Sequence, residues 1–253
     1  MPGRPHEFSS CDVIELRQYT LRPGTFDRLL DLFQTSLIAG LEESGMRLGG
    51  LFQDCADPDR FVWFRAFASM DQRRQALEDF YYGPVWRAHR EIANATMIDS
   101  DDVLLLRPTE PEHRPAPSTS VRPVQARPTV SPVRAIAEVV CYPAESYTEA
   151  WLSAVVHTRL ERVLGVPVAA WRTEPAANTF PGLPVREDHA FVWLAMFEDD
   201  VACQAAFRRL AMDRTWSTDI RPRIEQLAGS LQRLTLQPTT HSQHPALAAA
   251  HPW

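Results

Sequence analysis

FVWFRAF, residues 61–67, returns as FVWLAMF at 191–197. At the same spacing of 130, Trp86 returns as Trp216, Leu104 and Leu106 as Leu234 and Leu236, and Pro108 as Pro238. A shared offset held over so long a stretch is the mark of an internal duplication, and it sets the frame for every other reading. The copies differ where Arg65 of the first becomes Ala195 of the second. Chemistry, if present, is therefore expected in the first half.

Around the first copy, Val13–Leu21 alternates with a period of two and reads as a strand. Phe26, Leu29, Leu30, Phe33, Leu37 and Leu41 recur at helical spacing, and Gly45 closes that helix. Residues 47–55 and 60–67 are two strands joined by the Asp57-Pro58-Asp59 turn. Met70–Tyr81 is a second helix, broken by Gly83-Pro84, with Pro84 opening a third. That third helix ends at Asp99–Asp102, and VLLLRP, 103–108, is the closing strand. The order β-α-β-β-α-β is the ferredoxin-like motif. Proline-rich residues 109–132 read as a linker.

The plan repeats over 133–238, with Glu138 and Tyr142 set in the places of Glu15 and Tyr19. The second helix pair covers 199–229, and residues 239–253, with His241, His244 and His251, form a disordered tail. The expected architecture is α+β: two tandem domains, 12–108 and 133–238, packed sheet to sheet. In that arrangement Ile14 and Leu16 face the helices. Glu15, Arg17, Tyr19, Trp63, Arg65 and Phe67 face the enclosed interior between the sheets.

The bulk numbers bound the function classes. The chain has 253 residues, a net charge of −6 and no Lys, so all 26 basic residues are Arg. That balance argues against a nucleic-acid surface. Cys11, Cys55, Cys141 and Cys203 lack any paired metal spacing. No leader-like or membrane-spanning apolar run is present in the sequence, so a cytoplasmic protein is expected. Phosphate-binding Gly-rich loops, GxSxG and HExxH are absent.

ELRQYTLRPG (15–24), FVWFRAF, and YYGPVWRAHREIANATMIDSDDVLLLRP (81–108) together resemble a bacterial NIPSNAP-family protein. The resemblance implies the dimeric α/β-barrel superfamily, here folded within one chain. It implies no single reaction: relatives include cofactor-independent oxygenases, isomerases, haem-binding enzymes and proteins without chemistry, and fold alone does not choose among them.

Candidate residues follow from the residue types. Arg17 and Arg65, if interior, are costly to bury unpaired, and Glu15 is either their structural partner or one member of a net positive site for an anionic or aromatic ligand. Trp63, Trp86 and Tyr82 would line such a pocket, whose ligand is a small molecule. Tyr19, His89 and Asn94 are the candidates for moving a proton or positioning a substrate. The expected function is a small-molecule enzyme of bacterial metabolism. The alternatives are a non-catalytic binding or assembly module and a haem protein ligated by His89. Otherwise no cofactor or metal is expected, and whole chains could pair as a homodimer.

Overall fold

The structure is a computed structural model and describes residues 11–109, 133–144 and 146–239. Residues 110–132 of the predicted linker and 240–253 of the predicted tail, with its three histidines, lie outside the described residues.

Eight strands close into a single antiparallel barrel in the order β1-β3-β2-β8-β5-β7-β6-β4. From the first half come β1 (Val13–Leu21), β2 (Arg47–Asp54), β3 (Arg60–Phe67) and β4 (Met97–Pro108). The second half supplies β5 (Arg134–Tyr142), β6 (Val168–Thr173), β7 (His189–Phe197) and β8 (Ser230–Pro238). Each half is contiguous around the ring. The two seams are short: β2 meets β8 from Phe52↔Pro238 to Asp54↔Leu236, and β4 meets β6 from Leu106↔Thr173 to Pro108↔Trp171.

Helices cover the outside of the barrel. In the first half these are α1 (Phe26–Leu32), a π-helical segment Phe33–Leu37, α2 (Ile38–Glu43), α3 (Met70–Tyr81) and α4 (Pro84–Thr96). The second half has α5 (Ser146–Trp151), α6 (His157–Leu164), α7 (Asp200–Met212) and α8 (Arg221–Leu227), with π-helical segments at Leu152–Val156 and Trp216–Ile220. Local signals set the ends. Ser69 caps α3, its hydroxyl accepting from Gln72 N at 3.2 Å, and Asp199 caps α7, accepting from Ala202 N at 2.7 Å. Gly45, at φ 94°, lets the chain leave α2 in a left-handed turn that a side chain would resist. Between α3 and α4 an added Cβ at Gly83 would stand 2.3 Å from the Asp79 carbonyl, so this sharp break requires glycine. One boundary departs from expectation: Asp99–Asp102, predicted to end α4, belongs to β4, which starts at Met97.

The barrel interior is the apolar face. Ile14, Leu16, Phe52, Val62, Phe64, Ala66, Leu104 and Leu106 of the first half fill it against Ala135, Ala137, Val139, Trp171, Ala190, Val192 and Leu194 of the second. Rings and small side chains together fill it, with Phe64 of the first half 5.4 Å from Trp171 of the second between ring centres. A reciprocal amide pair, Gln18 with Gln232 at 3.0 Å in both directions, adds a polar link between β1 and β8, which are not neighbours in the ring.

This reverses the predicted faces. Tyr19, Trp63 and Phe67 pack with Phe26, Leu29, Phe33, Leu37, Leu77 and Phe80 in the layer between strands and first-half helices. Glu15, Arg17 and Arg65 lie on that same side by the period of the strands, and Glu15 meets Arg73 of α3 there. The reason is electrostatic. Facing inward, the charges would meet alanines and leucines; facing outward, they meet phenol, thioether and amide groups.

The strand register corrects the second expectation. Glu15 pairs with Arg65 and Leu105, and Ile136 pairs with Ala195 and Thr235. Arg17 pairs with Trp63 and Val103; Glu138 pairs with Trp193 and Arg233. Both neighbouring strands keep the 130 offset, so Ile136 stands at the place of Glu15, Glu138 at that of Arg17, and Val140 at that of Tyr19. The predicted match of Glu138 with Glu15 was two residues out of register.

Candidate functional site

Beneath the first-half helices, three guanidinium groups converge on one carboxylate. Arg17 Nη1 donates to Glu15 Oε2 at 2.8 Å, Arg65 Nε to the same oxygen at 2.7 Å, and Arg73 Nε to Oε1 at 2.7 Å. Glu15, Arg65 and Arg73 are wholly buried and Arg17 is 1% exposed. Burial by itself opposes ionisation of Glu15, but Arg65, Arg17 and Arg73 together outweigh it and hold the carboxyl well below its ordinary range. With one negative and three positive groups, the cluster carries an excess of two positive charges.

The remaining guanidinium hydrogens are only partly engaged. Arg17 Nε donates to the Tyr19 hydroxyl at 2.9 Å, and Arg65 Nη1 to the Tyr81 hydroxyl at 3.3 Å. Arg73 Nη1 reaches Asn178 Oδ1 at 3.0 Å and Thr179 Oγ1 at 3.2 Å. Arg65 Nη2 stands 2.7 Å from Glu15 Oε2 without an aligned hydrogen bond, and Arg73 Nη2 and Trp63 Nε1 are buried with no hydrogen-bond partner. Rings surround the charges: the Arg65 guanidinium carbon lies 5.3 Å from the centre of Trp63 and 5.6 Å from Phe67, and that of Arg17 lies 5.8 Å from Trp63.

Next to the cluster is a cavity of about 30 Å³ lined by Tyr19, Leu29, Phe33, Leu37, Leu41, Trp63, Phe80, Tyr81, Trp86, Ala93 and Met97. Its walls are apolar apart from phenol and indole groups. Tyr19 and Tyr81 belong to both structures, since each accepts from a cluster arginine and borders the cavity. Burial pushes the Tyr19 pKa above its ordinary value, against the opposing pull of Arg17, so its phenol is protonated at neutral pH.

The predicted site residues divide cleanly. Glu15, Arg17, Tyr19, Trp63, Arg65 and Trp86 are brought together. Tyr82 is 64% exposed, against the ring of Phe180, and the pocket-facing member of the tyrosine pair is Tyr81. Asn94 is on the exposed side of α4, away from the cavity. His89 is half-buried on α4 and outside the cavity lining, with an unpartnered Nδ1. The cavity beside α4, which His89 does not line, is water-sized. Among the described residues, no group of three or more His, Cys, Asp or Glu could hold a metal ion, and no helix is long and apolar enough to cross a membrane.

Arg73, Asn178 and Thr179 were missed. Arg73 had a signal: it shares the buried stripe of α3 with Ala76, Leu77 and Phe80, and a charge on an apolar stripe calls for a buried partner. Asn178 and Thr179 had none, because they arrive from the loop between β6 and β7 of the other half. That loop is tied to β4 by Glu174 N donating to Leu105 O at 2.9 Å and Arg186 N to Val103 O at 2.8 Å, and Phe180 packs against Tyr81 and Tyr82.

Among its described residues the second half shows no equivalent cluster. Glu138 is 3.2 Å from Arg221 Nη1, and burial raises its pKa despite the opposing pull of Arg221 and Arg233. The corresponding strands thus pair in the same register in both halves, with the charged cluster in the first.

Three solved structures of low sequence identity share the fold over almost the whole chain. A candidate monooxygenase from Lactobacillus acidophilus is 11% identical, with a TM-score of 0.53 and coverage of 90% of this chain and 94% of that one. Another candidate monooxygenase, from Fusobacterium nucleatum, is 6% identical, with a TM-score of 0.56 and coverage of 91% and 93%. An anthrone oxidase-like protein is 12% identical, with a TM-score of 0.59 and coverage of 90% and 91%. No curated protein matches the chain. Residues 14–111, which carry the arginine cluster and every residue named in the cavity wall, match the NIPSNAP family model.

Proposed function

We propose that the chain is two tandem ferredoxin-like units, 12–108 and 133–238 joined through 109–132, closed on each other as an intramolecular dimeric α/β barrel. In this reading the first unit holds a small aromatic or anionic metabolite between its sheet and its helices. The observation that carries it is the pair of phenols, Tyr19 and Tyr81, each bordering an apolar cavity and each backed by a buried arginine. A guanidinium donating to a phenol oxygen leaves the phenol proton free to point at a ligand. Two such donors suit an oxygen that gains negative charge, as in an enolate or phenolate.

Cofactor-independent oxygenation, isomerisation and cyclisation of aromatic or polyketide-like substrates all pass through such an oxyanion. The names of the fold relatives, candidate monooxygenases and an anthrone oxidase-like protein, agree with that class. Tyr19 acts as a hydrogen-bond donor, because burial keeps its phenol protonated. Trp63 and Trp86 would flank a planar ring. The cavity must widen to take one, and part of its wall is Phe33 and Leu37 of the π-helical segment, a geometry common at sites that rearrange. The small cavity also favours a second reading, a binding module without turnover; product formation separates the two.

The test is titration of the purified full chain with phenols and aromatic ketones, followed by tryptophan fluorescence. Removing one donor hydroxyl in Tyr19→Phe or Tyr81→Phe is expected to weaken binding about tenfold, equivalent to one hydrogen bond of about 1.4 kcal/mol. Affinities within twofold of wild type in both variants would remove the phenol pair from the site.

A further inference from the structure

We propose that Arg73 and Arg65 form a buried anion site, roofed by the loop from the other half, that takes a carboxylate or a small anion of the same charge. The proposal rests on placing the ligand beneath the first-half helices, and it names the ligand's charged group.

The charge balance comes first. Three fully or almost fully buried guanidinium groups share one carboxylate, and no second acid contacts them among the described residues. Two uncompensated charges in a sealed layer are costly, and an added anion is the direct remedy. Next are the donors without an aligned hydrogen bond, of which Arg65 Nη2 still stands 2.7 Å from Glu15 Oε2. Arg73 Nη2 is buried without a partner on a side chain that is 0% exposed, and Arg65 Nη2 lacks an aligned bond. A buried donor of this kind calls for a partner, whether an ordered water or an ion.

The roof is built to the same end. Asn178 Nδ2 donates to Leu183 O at 2.9 Å, and Phe180 N donates to Asn178 Oδ1 at 3.1 Å. These bonds fix the amide with its oxygen towards Arg73, holding Nη1 and leaving Nη2 to a ligand. Finally, the fold does not require the cluster. At the register positions of Glu15, Arg17 and Arg65 the second half carries Ile136, Glu138 and Ala195, and its strands pair in the same way. A cluster absent from one of two equivalent layers is there for something other than holding the sheet.

The experiment uses the full chain and formate or bromide as the probe. At constant ionic strength made up with the bulky HEPES anion, formate is expected to raise the melting temperature along a saturating curve. The rise is about 5–10 °C at a concentration 100 times its Kd. Arg73→Met should abolish the saturable part and leave only the gradual general salt effect. Bromide soaked into wild-type crystals should give an anomalous peak in contact with Arg73 Nη2, a readout that needs no variant to fold. Saturable binding of phenylpropionate at least tenfold tighter than formate identifies the anion as a carboxylate of the ligand itself. Equal affinities identify a free small anion. A wild type with no saturable response and only ordered water at Arg73 overturns the proposal, as does an Arg73→Met protein that keeps the full response. Neutral phenols that still bind in a Tyr19-dependent manner would in that case leave the phenol pocket standing.

Discussion

Replacing Glu15 by Gln keeps the shape and the acceptor oxygen of the side chain but removes the charge on which Arg17, Arg65 and Arg73 converge. A unit pair about 4 Å apart is worth about 4 kcal/mol at the effective permittivity of about 20 that describes protein sites. Three such pairs are offset by the desolvation of each ion, several kcal/mol apiece, and by repulsion among the arginines. The net loss for breaking a buried pair of this kind is about 3–5 kcal/mol. In a chain of this size it lowers the melting temperature by about 6–20 °C.

The pH dependence has a defined sign. The folded pKa of Glu15 lies below its ordinary value of 4.5, so the stabilisation is fully present above pH 4.5. Below that, the unfolded chain binds a proton that the folded chain refuses, and about 1.4 kcal/mol is lost per pH unit. The assay is urea unfolding of wild type and Glu15→Gln from pH 7 to pH 3. The gap between the two curves is expected to be constant down to about pH 5 and to narrow below. A gap under about 1 kcal/mol at pH 7, or one that widens in acid, would refute the reasoning.

Three other perturbations follow from the same geometry. Glu138→Gln is expected to be neutral or stabilising at pH 7 by the same urea assay, because the folded pKa of Glu138 is raised and its ionised form is a burden that protonation relieves. Phe180→Ala removes a ring packed on Tyr81 and Tyr82 and should cost about 2–4 kcal/mol, with faster hydrogen exchange of the loop amides around it. Ala195→Arg places a guanidinium at the position of Arg65 opposite Ile136 and should destabilise by more than about 3 kcal/mol. Adding Ile136→Glu should recover part of that loss in a double-mutant cycle, whereas no recovery would refute the register assignment.

Much of the fold was legible because alternation and turn chemistry are local. The strands at 13–21, 134–142 and 189–197 and the helix at 70–81 fall where the apolar periods place them. The orientation of those strands was not legible. FVWFRAF is apolar on both faces apart from one arginine, so period alone could not say which side met the helices. The barrel interior is lined mainly by aliphatic and aromatic side chains, whereas hydroxyl and amide partners for the charges lie in the helix layer. In the same way, Glu138 was matched to Glu15 by residue type, while the ladder matches it to Arg17. The site was half visible: Arg17, Arg65 and Glu15 stood out as charges in strands, but Asn178 and Thr179 are about 160 residues from Glu15 in sequence, and nothing in a polar loop reports what it will cover.

That cover has an evolutionary consequence. Where two identical subunits build a barrel, every substitution in a covering loop is imposed at both mouths, and each mouth must tolerate it. Here the strap bearing Asn178 and Phe180 and the pocket bearing Arg73 and Tyr81 are separate stretches of one gene. Selection can reshape the covering strap without touching its mirror position.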